Sequence, residues 1–504
     1  AVWAPPFRRT EPQTPDTQIP RMNANYGTGD AAKALVQDEA SAPTWTYGQK
    51  VNIMIFLCLC CLLDGVDFQL LPSSFRGLEM SLNISLDSLA RLSTCQGLTL
   101  VLSCPFWGSL ADHGLPRRAM MCTGCLMWGA FTILLAVFDH LWAMTILRLL
   151  NGIALGMVFP VMQSIIADIA PPEQRGRLFG IALGAQNLGV TLSSRAATSM
   201  STRIIWGIDG WRVSFSIVGC VSILVGISLF LFMVDVPKPM RISEINLVGE
   251  IAILKDYLKI PSFSVIFAQG IFGMIPWCVL SFLIMYFQYV GFSDGTAGSF
   301  YMIFTLAHAT GQVLGGYIGD GFWALSADHG RIVVAQLSVA LGVPCVWLIT
   351  SVISTDTSQG VWYCLMLACL GLVASWGGSG CNNPILSEVV SLRHMARVYA
   401  WSYALQSFCG MVFAPTAVAF LAERFFHYKS DDQDIQDMPP RRRQMNAEAL
   451  GDSMTYLTLV PWVLCFTCYG FLHCFYPRDK RRAAENVPDG ALVEGSIAQG
   501  CPDL

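Results

Sequence analysis

The sequence predicts an all-α membrane protein of twelve transmembrane helices arranged as two pseudo-symmetric six-helix bundles, and three observations predict it. Of 504 residues, 54% are hydrophobic and 13% charged, whereas a soluble globular chain carries about 25% charged residues. Apolar runs of about 20 residues recur, the length a helix needs to cross a hydrocarbon core. The runs fall as six, a polar stretch and six more, and short signatures repeat between the halves.

Residues 1–50 are rich in Pro, Thr, Gln and Asp without an apolar period and read as a disordered tail. The first bundle is expected over 51–234, with spans near 51–72, 91–111, 119–138, 141–167, 178–199 and 213–234. A polar cytoplasmic linker follows over 235–262. The second bundle covers 263–476, with spans near 263–290, 297–319, 331–353, 361–386, 397–421 and 454–476. Residues 477–504 form a tail opening on Arg478, Lys480, Arg481 and Arg482, a basic cluster that suits the cytoplasmic side.

Positive charge tests this layout, because Lys and Arg concentrate in alternate, inner loops. Arg117, Arg118, Arg175, Arg177, Lys238, Arg241, Lys255, Lys259, Arg331, Arg393 and Arg397 obey the rule. Arg76, Arg91, Arg203 and Arg212 fall in or beside outer loops, as do Arg441, Arg442 and Arg443, in a loop that reads as solvated and mobile. The sequon at Asn83, Ile84 and Ser85 also lies in an outer loop.

Several chemistries are missing. A net charge of −4 with dispersed basic residues offers no cationic face for nucleic acid. Cys122 and Cys125 have metal or redox spacing but lie in an apolar run without a second pair, so they read as packing, as do Cys58, Cys60 and Cys61. No phosphate-binding glycine loop, nucleophile with its base, or ligand cluster is seen. No cofactor or metal is therefore expected, and the chain does not read as an enzyme.

The loop between the second and third spans reads Gly108, Ser109, Leu110, Ala111, Asp112, His113, Gly114, Leu115, Pro116, Arg117, Arg118. It resembles the signature of the major facilitator superfamily. In that family the acid and the basic pair latch one conformation, a role the resemblance gives to Asp112, Arg117 and Arg118. The pattern returns as Gly316, Tyr317, Ile318, Gly319, Asp320 at the end of the eighth span. A second echo pairs Asp168 through Arg175 and Arg177, after span four, with Glu388 through Arg397, after span ten. Span four also carries Arg148 ahead of Gly152 and Gly156, one turn apart and suited to close helix approach. With the runs from Pro171 to Arg177 and from Gly210 to Arg212, and with the first-span Asp67, the first half resembles the spinster-like branch. Members of that branch are lysophospholipid or sphingolipid transporters. Leu155 and Phe68 stand where the branch usually carries a glutamate and an arginine.

An ionisable side chain at membrane depth is costly unless paired or functional. Asp64 and Asp67 lie one turn apart on the first span, Asp67 about five residues, or about 8 Å, below its expected outer end. Arg148 is expected at similar depth, so that Asp67 and Arg148 meet, either as a pair that breaks and re-forms during transport or as a static packing device. His308 lies near the membrane centre, where it binds proton or substrate or hydrogen-bonds a neighbouring helix. Gln186, Asn187 and Gln312 are further polar candidates. Gly270, Gly273 and Pro276, and the run from Gly377 to Pro384, interrupt spans seven and ten as gates or sites can.

The expected function is secondary active transport of a small organic or amphiphilic solute by alternating access, with proton symport. The bilayer, a small-molecule or lipid-like substrate and protons are the expected partners. A facilitative uniporter and a transporter-like receptor without transport remain open alternatives. The sequence distinguishes neither plasma nor endolysosomal membrane.

Overall fold

The computed structural model describes residues 45–112, 115–169, 172–236, 254–390, 395–430 and 437–485. They form twelve helical rods. The first six are α1 (Tyr47–Leu82), α2 (Leu86–Asp112), α3 (Arg117–Val137), α4 (Leu141–Leu155, continued by Val158–Ile169), α5 (Pro172–Ser201) and α6 (Gly210–Phe232). Then come α7 (Pro261–Val279, continued by Leu283–Val290), α8 (Asp294–Leu325), α9 (Gly330–Trp347), α10 (Gly360–Ala374, continued by Asn383–Val389), α11 (Met395–Arg424) and α12 (Pro440–Glu485). A two-stranded hairpin, β1 (Ile204–Ile205) and β2 (Ile208–Asp209), joins α5 to α6 and turns through Trp206 and Gly207, both at positive φ. Of the expected linker, residues 237–253 lie outside the described residues, as do 1–44 of the N-terminal tail and 486–504 of the C-terminal one.

The ends of the rods fall where local chemistry places them. Thr46 caps α1 through a reciprocal pair, Gln49 N–H to Thr46 Oγ1 at 3.4 Å and Thr46 N–H to Gln49 Oε1 at 2.9 Å. The rod therefore starts four residues before the expected span, and it runs through Pro72 to Leu82. Two expectations change with it. Arg76 becomes a buried residue of the last turns of α1 rather than a loop residue, and Asp67 lies near mid-rod rather than close to its end. The stretch carrying Arg441, Arg442 and Arg443 is not a mobile loop either. It opens α12, Met438 before it is buried, and Asn446 accepts from Lys429 N–H at 3.0 Å and donates to Lys429 O at 2.8 Å.

Nine of the rods are long and apolar enough to cross a membrane. The remaining three, α2, α5 and α8, lie between the bundles, α2 against α11 and α5 against α8. A helix screened from lipid by protein on both sides tolerates more polar residues, which accounts for their weaker hydropathy.

We call the end of the rods that carries Arg117, Arg118 and Arg331 the basic face, and the other the outer face. Packing differs between them. The outer half of the first bundle shares one hydrophobic core with the second bundle, Leu70, Leu71, Phe75 and Leu78 joining Val279 to Tyr289, with the Phe75 and Phe282 rings 5.1 Å apart. Its basic half keeps a separate core, built on Ile53, Met121, Ile165, Leu178 and Met233.

Candidate functional site

The first site forms where α2 and α4 touch. A Cβ on Gly152 would stand 2.3 Å from Gln96 O and one on Gly156 2.1 Å from Ser103 Oγ, so only glycine permits this approach. It sets Gln96 of α2 beside Arg148 and Asn151 of α4. Arg148 NH1 donates to Gln96 Oε1 at 2.9 Å, and Gln96 Nε2 donates to Asp67 Oδ2 at 3.1 Å and to Asn151 Oδ1 at 2.8 Å. Asn151 Nδ2 donates to Thr132 Oγ1 at 3.0 Å, and the Thr132 hydroxyl donates to Asp67 Oδ1 at 3.0 Å. Every hydrogen in this circuit points toward the Asp67 carboxylate. Asp67, Arg148, Asn151 and Thr132 are all buried.

Asp67 and Arg148 thus share a network without forming a direct ion pair, because Gln96 stands between them. The guanidinium also lies 5.6 Å from the Phe215 ring centroid, and its Nε and NH2 have no hydrogen-bond partner among the described residues. Gln96, Thr132 and Asn151 were not singled out from sequence, since neutral side chains in an apolar run carry no charge signal. Asp64 goes elsewhere. It accepts from Gln186 Nε2 of α5 at 2.6 Å, so the two aspartates, though one turn apart, serve different neighbours rather than one site.

The remaining sequence candidates are dispersed. The Asn187 amide donates to Leu183 O of its own helix at 3.1 Å. His308 of α8 lies edge-on to Trp277 at 4.7 Å, with Phe304 at 6.2 Å, and Trp277 in turn meets Trp462. Gln312 is exposed, and its backbone carbonyl accepts from Ser379 Oγ at 2.7 Å. In the second bundle a neutral counterpart to the Asp67 circuit joins α7, α10 and α12. Tyr469 OH donates to Asn382 Oδ1 at 3.1 Å, and Asn382 Nδ2 to Gln269 Oε1 at 3.1 Å.

Charges at the basic face pair within a bundle. Arg117 NH2 meets Asp168 Oδ2 at 2.5 Å, Arg331 NH2 meets Asp320 Oδ1 at 2.8 Å, and Lys480 Nζ meets Glu388 Oε2 at 3.0 Å. Arg118 NH1 donates to Met233 O at 3.2 Å. The side chains of Asp112, Arg175, Arg177 and Arg397 lie outside the described residues.

The outer face carries a second site that sequence reasoning missed. Glu79, wholly buried, accepts from Arg76 NH1 at 2.8 Å, Tyr289 OH at 2.7 Å, Tyr428 OH at 2.5 Å and Ser430 Oγ at 2.8 Å. Arg76 and Glu79 belong to α1, whereas Tyr289 ends α7 and Tyr428 and Ser430 follow α11, so this network ties the two bundles together. Burial, with the Glu79 charge beside it, pushes the Tyr428 phenol well above its usual pKa, keeping it a neutral donor. The signal available was the i, i+3 pair Arg76 and Glu79, which the early end assigned to the first span hid.

The stripe along α5 and its partner on α8 show where the bundles part. At the outer end a Cβ on Gly298 would stand 2.3 Å from Ser194 O, and Thr191 and Thr305 hydroxyls are 2.9 Å apart. Further along the same stripes, Gly184, Gly180 and Gly316 have nothing within 4 Å of a Cβ position. The two helices touch at the outer face and separate toward the basic face.

The sequence pattern of the Major Facilitator Superfamily matches residues 57–415, well over half of the chain. Among curated proteins the chain is similar to quinolone resistance protein NorA of Staphylococcus aureus (strain Mu50 / ATCC 700699), 29% identical over 111 residues, 22% of this chain and 28% of that protein. It is also similar to probable anion transporter 3, chloroplastic, of Oryza sativa subsp. japonica, 27% identical over 229 residues, 45% of this chain and 42% of that protein. The chain thus matches less than half the length of either relative. Among solved structures it is similar to a bacterial homolog to human lysosomal transporter Spinster in its inward-facing and occupied conformation. The TM-score is 0.72 and the identity 17%, over 86% of this chain and 99% of that one, with the same values for the unoccupied form. At that identity the likeness is one of fold.

Proposed function

The chain belongs to the Major Facilitator Superfamily, and we propose that it is a secondary transporter, not an enzyme, moving a small organic or amphiphilic solute by alternating access coupled to protons at Asp67. The observation that carries this reading is the one-way hydrogen-bond circuit ending on a buried carboxylate at mid-rod. The expected cytoplasmic side is the basic face, where α5 and α8 diverge and a solute would enter between the bundles.

The chemistry follows from donor counting. Ionised Asp67 accepts from Gln96 and Thr132 at once. A proton on Oδ2, the oxygen that Gln96 meets, sets an O–H against the amide N–H and displaces Gln96, whereas a proton on Oδ1 is met by reversing the Thr132 hydroxyl. If Gln96 turns away, Arg148 loses its one neutral tether and is left a buried cation whose Nε and NH2 already have no partner among the described residues, so that an anionic solute group would relieve it. Protonation and solute binding are thereby linked through one amide. The substrate class is supported by unlike bundles, acids and amides on α1, α2, α4 and α5 and an aromatic group of Trp277, Phe304, His308 and Trp462 in the second. A solute with a polar end and an apolar body suits them. The resemblance of the first-half motifs to the spinster-like branch agrees with a lipid-like choice, and the likeness to an anion transporter with an anionic one.

Uptake into proteoliposomes under a pH gradient tests the reading, with lysolipids and small organic solutes scanned beside Asp67→Asn and Arg148→Ala. Gradient-driven uptake lost in both folded variants is the expected result. Uptake indifferent to gradient and substitutions makes the circuit a packing device and the protein a facilitative uniporter. Absence of flux with any solute favours a receptor that kept the fold.

A further inference from the structure

At the basic end of the second bundle two imidazoles face each other, and the transport reading uses neither. His329, exposed, stands immediately before α9, and His473 lies on α12; their Nδ1 atoms are 3.0 Å apart and their ring centroids 5.1 Å. His473 Nε2 is 3.2 Å from Gln336 Oε1. With the Gln336 carbonyl as acceptor, His473 carries its proton on Nε2 and turns a bare Nδ1 lone pair toward His329. This arrangement has two parts of a metal site in place: a lone pair of fixed tautomer, and a carbonyl holding the ligand's far nitrogen, the usual outer-shell device.

We propose that His329 and His473 form a two-imidazole site for a divalent transition metal that favours nitrogen ligands in cis positions, of the Ni2+ or Cu2+ kind. Geometry selects that class. Metal–imidazole bonds of about 2.1 Å set ligands at right angles about 3.0 Å apart and tetrahedral ligands about 3.4 Å apart. The metal-free pair stands 3.0 Å apart as a hydrogen bond, so the shorter, right-angled separation is reached by turning the rings without drawing the two nitrogens further apart. In the metal-free pair His329 donates its Nδ1 hydrogen to His473. On binding, that proton moves through solvent to Nε2 of His329, both rings turn by about 45° so that their Nδ1 lone pairs converge on the ion instead of on each other, and water fills the other positions. No redox step is involved. Neighbouring cations do not oppose entry as bare charges, because Arg331 is held by Asp320 and Lys480 by Glu388. Both ligands belong to the second bundle, so the metal ties the start of α9 to α12 without bridging the moving halves. The site is independent of the transport reading.

The test is calorimetric titration of the tag-free full chain in detergent with NiCl2 at pH 7.5, for the parent, His329→Ala, His473→Ala and Gln336→Ala. Nickel limits interference from thiols, which favour softer ions. The parent is expected to show one site that both histidine variants lack, weakened about 10- to 100-fold in Gln336→Ala and lost as pH falls through about 6. Since His473 lies within α12, the exposed His329→Ala supplies the decisive comparison if His473→Ala folds poorly. Identical titrations of the parent and His329→Ala overturn the proposal.

Discussion

The two ends of the rods are held by different physics. At the outer face a carboxylate with no exposure accepts four hydrogen bonds, three of them from the other bundle, and one hydrophobic core runs across the seam. At the basic face the described ion pairs stay within a bundle and several are open to water, as Asp320 is, with 70% of its side chain exposed. A buried network is costly to open halfway, because each freed donor or charge loses its partner before water replaces it. An exposed pair exchanges protein for water at little cost. The difference shows the two bundles joined at the outer face, and on the proposed transport cycle it makes Glu79 the group expected to give way when that face opens.

Removing the Glu79 carboxylate is the harshest test of that comparison. Glu79→Ala leaves Arg76 buried without its carboxylate and is expected to cost the closed outer face about 3–5 kcal/mol. A cysteine introduced at buried Ala297, on the outer end of α8, should then become labelled by an impermeant thiol reagent. Unchanged labelling would mean the seam is held by its apolar core. Next in size is Gly298→Ala, whose Cβ would meet Ser194 O at 2.3 Å; a cost of about 1–3 kcal/mol is expected from overpacking, against almost none for Gly184→Ala, where the space is open. Equal labelling in these two variants would deny that α5 and α8 diverge.

Tyr428→Phe deletes one donor to Glu79 and is expected to raise the same labelling by about 1–2 kcal/mol worth of population. The phenol also predicts a pH limit. Its folded pKa is raised, so the unfolded chain holds fewer protons in the interval above about pH 10. The stability from Tyr428 is therefore complete below about pH 10 and lost above it, readable as a thermal midpoint that falls more steeply in the parent than in Tyr428→Phe. The smallest effect belongs to the basic face. Asp320→Asn should change stability by about 0–1 kcal/mol, since its partner Arg331 is shielded but Asp320 is not.

Read from sequence, Asp67 and Arg148 stood out because charge in an apolar run is conspicuous, and the structure does place them in one network. Their connection through Gln96, Thr132 and Asn151 was not legible, since amides and hydroxyls occur throughout such helices. Glu79 was missed for another reason: a proline at position 72 and the charges after it resemble a helix end, yet α1 continues because the second bundle and the segment after α11 bury that polar turn.

The sequence by itself determined the solvent and the recurrence of long apolar helices, because hydropathy over about 20 residues and the alternation of positive charge are local properties summed along the chain. It also determined the close approach of α2 and α4, written in glycines one turn apart. Which polar groups meet, and which end is shut, were decided only by tertiary structure. Residues as far apart as Glu79 and Ser430 become neighbours when two bundles tilt together, and that tilt is set by how all the buried faces fill space at once.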